Sequence, residues 1–285
     1  MKNLEIVKNM TKEEVLNLFD EADEYRGKRN NLLKQKTLGM IFEKASTRTR
    51  VSFEVAMYQT GGQAIFLSKQ ASQLGRGEPI KDTARVLSRY CDGIMARVFE
   101  HSKIEDLVKY SDVPVINGLS DEYHPCQSLT DYYTIWRKKG LDAKVVFLGD
   151  GSDNVCHSLI NTATVLGKEI VVSCPDQAKY HPKVKGNYEV IHDPHEAVSE
   201  ADVVYTDVWV SMGETEEKER DLMDHQVNQE VMSKAKSDAI FMHCLPAHRG
   251  KEVTDEVMES SNSVVFDQAE NRLHLQKALL LKLMK

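Results

Sequence analysis

The 285-residue chain has no apolar run of membrane-spanning length, and its opening stretch "MKNLEIVKNMTKEEV" holds no apolar signal core. Both absences argue against a membrane-embedded role and make cytoplasmic residence the expectation. Basic residues are outnumbered, 37 Lys and Arg against 44 Asp and Glu, for a formal charge of −7. That excludes a large nucleic-acid footprint, because tracking phosphates takes a basic surface. An anion site here must be a local island of arginine. No CxxC pair exists among the five cysteines (Cys91, Cys126, Cys156, Cys174, Cys244), which are odd in number, widely spaced and read as reduced thiols. The glycine signatures of nucleotide binding are also missing. "GDGSDN" (149–154) begins like a dinucleotide fingerprint but has Asn154 where the third glycine belongs, and no "GK" is followed by Ser or Thr. Nicotinamide and ATP chemistry are therefore disfavoured. Repeats, low-complexity segments and long linkers are absent as well. What remains is ordinary globular composition, 41% apolar and 28% charged.

Short apolar runs alternate with helical patterns over most of the length. The runs predict strands at Leu38–Phe42, Gln63–Leu67, Gly93–Val98, Val113–Asn117, Val145–Leu148, Ile170–Ser173, Val190–Ile191, Val203–Thr206, Ile240–His243 and Val264–Phe266. The periodicity predicts helices at Thr11–Tyr25, Thr47–Gln59, Ile80–Tyr90, Pro125–Lys139, Asn154–Leu166 and Asn228–Ala235, with a last one from Gln268 onward. This alternation argues for an α/β fold of two doubly wound lobes with mainly parallel sheets, and for an active site in the cleft between them. The break is placed near "WRKKGLDAKVVF", giving lobes at 1–137 and 138–267, with the helix of 268–285 packing back on the first. "GETEEKERD" (213–221) reads as a mobile surface loop.

Ligands of open parallel sheets gather at the carboxyl ends of the strands. In "FEKASTRTR", Ser46 is a good helix N-cap, so the first-turn N–H groups would face an anion and Arg48 would add a fork. Arg50 lies about 200° round the helix from Arg48. One arginine should therefore contact ligand while the other makes a structural ion pair. The competing reading is a capped, solvated helix start. In "HPCQ" (124–127), Pro125 suits the first helical position and His124 the cap. The helix dipole favours a neutral imidazole that, beside Gln127, would polarise a carbonyl oxygen, unless the motif is a plain cap. In "HCLP" (243–246), Cys244 is either a thiol or thiolate working beside Asp207, or a small buried hydrophobe. His124, Cys126, His243, Cys244 and His248 carry metal-ligating atoms, but no pair has zinc-site spacing, so no metal is assigned.

Together these stretches resemble the ornithine carbamoyltransferases. The likeness runs along nearly the whole chain through "FEKASTRTRVSFE", "SQLGRGEPIKDTARVLSRYCDGIMAR", "HPCQSLTD", "DVWVSMG", "HCLPAHRG" and "FDQAENRLHLQKALL". The resemblance implies transfer of the carbamoyl group of carbamoyl phosphate to the side-chain amine of L-ornithine, giving citrulline and phosphate without metal or organic cofactor. It implies two α/β domains and a homotrimer, or an assembly of trimers, with sites between subunits. On its pattern Ser46, Thr47, Arg48 and Thr49 would cradle the phosphate. Arg97 would span phosphate and carbamoyl oxygen, and His124 and Gln127 would bind the carbamoyl group. Gln73 would reach a neighbouring subunit's site, and Arg272 would approach the carbamoyl side. Asn154, Asp207, Ser211 and Met212 would hold ornithine, with Cys244 and the Leu245 backbone completing the site. Arg97, His124, Cys244 and Arg272 would be the catalytic set. "SMGETEEKERD" would close as a lid.

The chain departs from the family pattern in two places. "CPDQAKYHPKVKGNYEV" has weak helical periodicity, which predicts a shortened crossover. Asp153 stands where many relatives have Asn, and an acid there is unwelcome if it points at the ornithine carboxylate. Among rival substrates, aspartate would need cations for its second carboxylate, and putrescine would lack the groups that "SMG" and Asn154 read. A non-catalytic anion-binding protein of the same fold is the rival from another class.

Overall fold

The computed structural model describes residues 1–71, 77–209 and 216–285. Residue contacts divide the chain into two compact units, Met1–Thr130 with Asn271–Lys285, and Asp131–Glu270.

The first unit begins with α1 (Lys12–Glu24), opened by a reciprocal capping box between Thr11 and Glu14. Then come β1 (Thr37–Phe42), α2 (Thr47–Gln59), β2 (Gln63–Ser68), α3 (Ile80–Leu87), β3 (Gly93–Arg97), α4 (Ser102–Tyr110) and β4 (Val115–Leu119). The helix α5 (Pro125–Lys139) crosses the division between the units, and so does the long terminal helix α11 (Val265–Met284). The sheet is parallel, in the order β2-β1-β3-β4. All of β1 is buried, as expected of a central parallel strand covered on both faces. Ile41, Ile94, Ala96, Ile104, Leu107 and Val115 form part of one core cluster. The order reverses between β1 and β3, so the loops leaving those two strands flank a topological switch point. A bulge shifts the β3–β4 register, setting Ala96 opposite Asn117 but Arg97 opposite Leu119. Bulges of this kind re-aim a side chain beside a site.

The second unit carries a five-stranded parallel sheet, in the order β7-β6-β5-β8-β9. Its strands are β5 (Val145–Leu148), β6 (Ile170–Ser173), β7 (Tyr188–Val190), β8 (Val203–Thr206) and β9 (Ile240–His243). Around them lie α6 (Asn154–Leu166), α7 (Pro194–Ala197), α8 (Glu216–Leu222), α9 (Gln229–Lys234) and α10 (Asp255–Met258). Val146, Leu148, Val204, Phe241, Val231 and Val257 belong to its core. The switch point here lies between β5 and β8.

Several sequence expectations need correction. Val264–Phe266 is not a strand: Ser263 makes an isolated bridge to Phe241 at the β9 edge, and α11 begins at Val265. The apolar run was readable either way, and Gln268 N–H donating to Val264 C=O (2.8 Å) commits it to the helix. The fourth strand runs to Leu119, two residues beyond the expected end. From Glu216 onward the expected loop of 213–221 is helix α8, where Lys218 pairs with Asp150 at 2.7 Å. The crossover from β6 to β7 contains only a 3-10 turn at Ala178–Tyr180, as predicted. It lies directly on α6, since a Cβ on Gly186 would stand 2.5 Å from Ile160 Cγ2.

Candidate active site

In the first unit, the chain leaves β1 and enters α2 through Ser46, whose Oγ accepts the Thr49 N–H at 3.3 Å. The Thr47 and Arg48 N–H groups have no acceptor among the described residues, as helix geometry requires of a first turn. Arg50 makes the ion pair expected of one of the two arginines. Arg50 Nε donates to Glu54 Oε1 at 2.9 Å, and its guanidinium lies 3.8 Å from the Phe66 ring centroid. Half-buried Arg48 has no ion-pair partner among the described residues. A desolvated cation beside open amides at a positive helix end is poised for an anion.

Arg97 ends β3 across the switch point from this turn, and Phe42, the last residue of β1, is its register partner. His124 precedes α5 and is buried. Burial holds its imidazole well below the usual histidine range, and the charges of Arg272 and Arg97 add to the effect. The ring is therefore neutral near pH 7 and able to donate one hydrogen bond. Arg272 projects from α11 into the same region. Its Nη1 donates to Gln127 Oε1 (2.5 Å), its Nη2 to Thr49 Oγ1 (3.2 Å) and its Nε to Gln276 Oε1 (2.7 Å). Gln276 in turn donates to Ser52 Oγ at 2.6 Å. One guanidinium thus fixes α2 and α5 against α11. The structure brings Ser46, Thr47, Arg48, Thr49, Arg97, His124, Gln127 and Arg272 into one unit. Gln73 lies outside the described residues.

In the second unit, Gly149 leaves β5 at φ +129°, where a Cβ would stand 3.1 Å from Trp209 Nε1. Asp153 then caps α6, its Oδ1 accepting the Val155 N–H at 2.8 Å, and Asn154 opens the helix. The Asp153 carboxylate is therefore turned back onto its own helix. Across the switch point, Asp207 follows β8 and is buried. Its Oδ1 accepts the Val208 N–H and the Cys244 thiol, both at 2.8 Å. Burial raises the affinity of Asp207 for a proton. Burial, then Asp207, push the Cys244 thiol well above its ordinary range. Of the two forms left open by the sequence, Cys244 is the thiol. Leu245 has a positive φ of +61°, an uncommon backbone for a branched residue and one that clusters at functional sites. Ser211 and Met212 lie outside the described residues.

A supporting network escaped the sequence reading. Gln268 Oε1 accepts the His243 N–H at 3.0 Å, and its Nε2 donates to Asp131 Oδ1 at 2.7 Å. Tyr205 Oη donates to Asp131 Oδ2 at 3.1 Å. These groups fix the strand end that presents Cys244. The only hint was that Asp131 and Gln268 lie inside "SLTD" and "FDQAEN". Asp207, His243 and Cys244 hold ligating atoms within 4.8 Å of one another. Yet His243 Nδ1 accepts the Leu245 N–H at 2.9 Å, and its Nε2 faces Glu252 at 3.3 Å. A metal ion bound through His243 Nδ1 would have to break the first of these contacts.

The family model for the aspartate/ornithine carbamoyltransferase carbamoyl-phosphate-binding domain matches residues 2–137, and that for the Asp/Orn-binding domain matches 141–283. The chain belongs to the aspartate/ornithine carbamoyltransferase family. Within this carbamoyltransferase family it is similar to the ornithine carbamoyltransferase of Pyrococcus horikoshii, at 54% identity over 98% of this chain and 94% of the relative. It is 58% identical to that of Staphylothermus marinus over 87% of this chain and 85% of the relative. Among solved structures, the Pyrococcus furiosus ornithine carbamoyltransferase matches with a TM-score of 0.95 and 53% identity, covering 99% of this chain and 97% of that one. The two parallel sheets are thus those of a carbamoyltransferase.

Proposed function

We propose that this chain transfers the carbamoyl group of carbamoyl phosphate to the side-chain amine of L-ornithine, releasing citrulline and phosphate. The observation that carries the reading is the match along nearly the whole chain to ornithine carbamoyltransferases, with the polar residues of the expected site retained. The first unit binds carbamoyl phosphate. Ser46, Thr47, Arg48, Thr49 and the open amides of α2 hold its phosphate, Arg97 bridges phosphate and carbamoyl oxygen, and neutral His124 donates to that oxygen. The amine attacks as its free base, the C–N bond forming as the C–O bond to phosphate breaks and the protons passing to the leaving phosphate and solvent; negative charge builds on the carbamoyl oxygen and on the phosphate, so preorganised donors lower the barrier. Arg272 orients Gln127 and Thr49 within the same set.

The second unit binds ornithine. Buried Asp207 attracts the cationic side chain, the Cys244 thiol and the Leu245 backbone line the amine, and Asn154, Ser211 and Met212 read the α-substituents. Gln73 would complete a neighbouring subunit's site in a homotrimer. Among the described residues no helix is long and apolar enough to cross a membrane. Cytoplasmic residence is the compartment that fits the composition.

The test is to mix the protein with carbamoyl phosphate and ornithine and to measure citrulline, with putrescine and aspartate as competing acceptors. Citrulline should dominate. Faster carbamoylation of putrescine or aspartate would overturn the substrate assignment, and no product with any amine would overturn the activity.

A further inference from the structure

The crossover between β6 and β7 has no part in the proposed reaction, yet it gathers ligating side chains. The parallel register sets Val172 opposite Val190. Continuing each chain by two residues brings Cys174 beside His192 at the carboxyl ends of neighbouring strands. His192 Nδ1 lies 2.9 Å from the Cys174 carbonyl oxygen. A carbonyl only accepts, so Nδ1 carries a proton, which leaves Nε2 as the nitrogen open to a ligand. Protein metal sites orient their imidazoles in this way. His225 Nε2 lies 3.1 Å from the His192 carbonyl and steadies the backbone from behind.

His181 follows the 3-10 turn and stacks on His192, with ring centroids 5.4 Å apart and planes at 22°. Its Nε2 is buried and has no hydrogen-bond partner among the described residues. Such an orphaned nitrogen calls for an explanation. Asp176 Oδ1 stands 3.2 Å from His192 Nε2, so a carboxylate faces the ring nitrogen left open. A proton or a metal ion shared between them satisfies both groups. Cys174 Sγ and one ring nitrogen from each histidine lie within 4.8 Å of one another.

We propose that Cys174, His181, His192 and Asp176 form a zinc(II) site that clips the β6–β7 crossover. Tetrahedral zinc, with bonds of about 2.0–2.3 Å, needs ligand atoms about 3.3–3.8 Å apart. For Cys174, His181 and His192, closing from the present spacing takes about 1 Å, within the reach of side-chain rotation, and the exposed Asp176 side chain turns in from its place beside His192. A thiolate and a carboxylate neutralise the ion's two charges, and the sulfur, nitrogen and oxygen mixture suits zinc rather than calcium or magnesium, which take oxygen ligands. Binding converts the Cys174 thiol to thiolate and releases its proton to solvent. The His192 and Asp176 side chains are 44% and 87% exposed, which leaves an entry path. Four protein ligands close the coordination sphere, so the role is structural. The ion takes over the task of the helix this crossover lacks.

The experiment titrates zinc sulfate into chelator-treated full-length protein, following heat of binding and thermal unfolding. One zinc per chain should bind, and the unfolding midpoint should rise by about 5 °C at a hundredfold excess over Kd. The His181→Ala/His192→Ala variant should lose both effects, while Cys244→Ser, which alters another cluster of ligating groups, should keep them. Cobalt(II) in place of zinc should give a near-ultraviolet thiolate charge-transfer band and intense visible bands of tetrahedral geometry, the former lost in Cys174→Ser. Absence of binding, equal zinc response in the double histidine variant, or cobalt bands abolished by Cys244→Ser alone would overturn the proposal.

Discussion

Arg48 and Arg50 stand two residues apart on α2, and exchanging each for alanine should give opposite outcomes. Arg48 has no ion-pair partner among the described residues and sits in the first turn, where the helix dipole repels a cation. Relief of that repulsion is worth about 0.3–1 kcal/mol, so Arg48→Ala should leave stability unchanged or slightly raised. In the proposed phosphate-binding role, the same substitution removes two charge-assisted hydrogen bonds, at about 1.5–3 kcal/mol each. A loss of about 3–6 kcal/mol weakens binding by roughly two to four powers of ten. Arg50→Ala instead removes the Glu54 pair, in which both side chains are more than a third exposed, and the contact with Phe66. Screening limits the first to about 0.3–0.5 kcal/mol, and the second adds about 0.5–1 kcal/mol. Arg50→Ala should therefore lower stability by about 1 kcal/mol and leave phosphate affinity intact. Calorimetric titration with phosphate and with carbamoyl phosphate, paired with urea unfolding, measures both quantities on both variants. Unchanged phosphate affinity in Arg48→Ala, or an equal loss in Arg50→Ala, would refute the division of roles.

Asp207→Asn should raise KM for ornithine by about 10- to 100-fold, the loss of one charged contact, and leave KM for carbamoyl phosphate within twofold; the reverse pattern would remove Asp207 from the amine site. Cys244, held as a thiol by burial and by Asp207, should react with iodoacetamide at pH 8 more slowly than a free cysteine, and fast alkylation would contradict that environment. His124 has a folded-state pKa depressed below its unfolded value, so its contribution to stability is present above about pH 6.5 and is lost as pH falls and the unfolded chain takes up the proton. Between pH 6 and 5 the native protein should therefore lose stability faster than His124→Gln, by up to about 1.4 kcal/mol per pH unit, in urea unfolding. Equal slopes would show that His124 is not buried neutral. Gln268→Leu should cost about 1–3 kcal/mol by leaving the Asp131 carboxylate and the His243 N–H without this partner, measured by the same unfolding assay.

Much of the fold was legible because its strands are buried on both faces and bounded by turn residues. Val145–Leu148 is an uninterrupted apolar run and Ile240–Met242 another, closed by His243, and their limits came straight from composition. Helix α2 was legible from Ser46, whose hydroxyl marks the start of the turn. Helix α4 was not, because His101 before it has helical backbone angles and makes no side-chain cap. In the site, the helix-start motifs declared themselves locally. The partners of Arg272 did not, since Thr49 and Gln127 reach it only through the packing of three helices. Cys174, His181 and His192 were equally silent, because only the strand register and an irregular crossover bring them together.

The position of Arg272 on α11 sets an order on biosynthesis. The four strands of the first unit emerge from the ribosome more than 100 residues before the guanidinium that ties α2 to α5. A nascent chain can therefore form that sheet early, but the start of α2 stays without this brace until Arg272 has emerged. Anion binding by a growing chain should therefore gain strength only once α11 has been made.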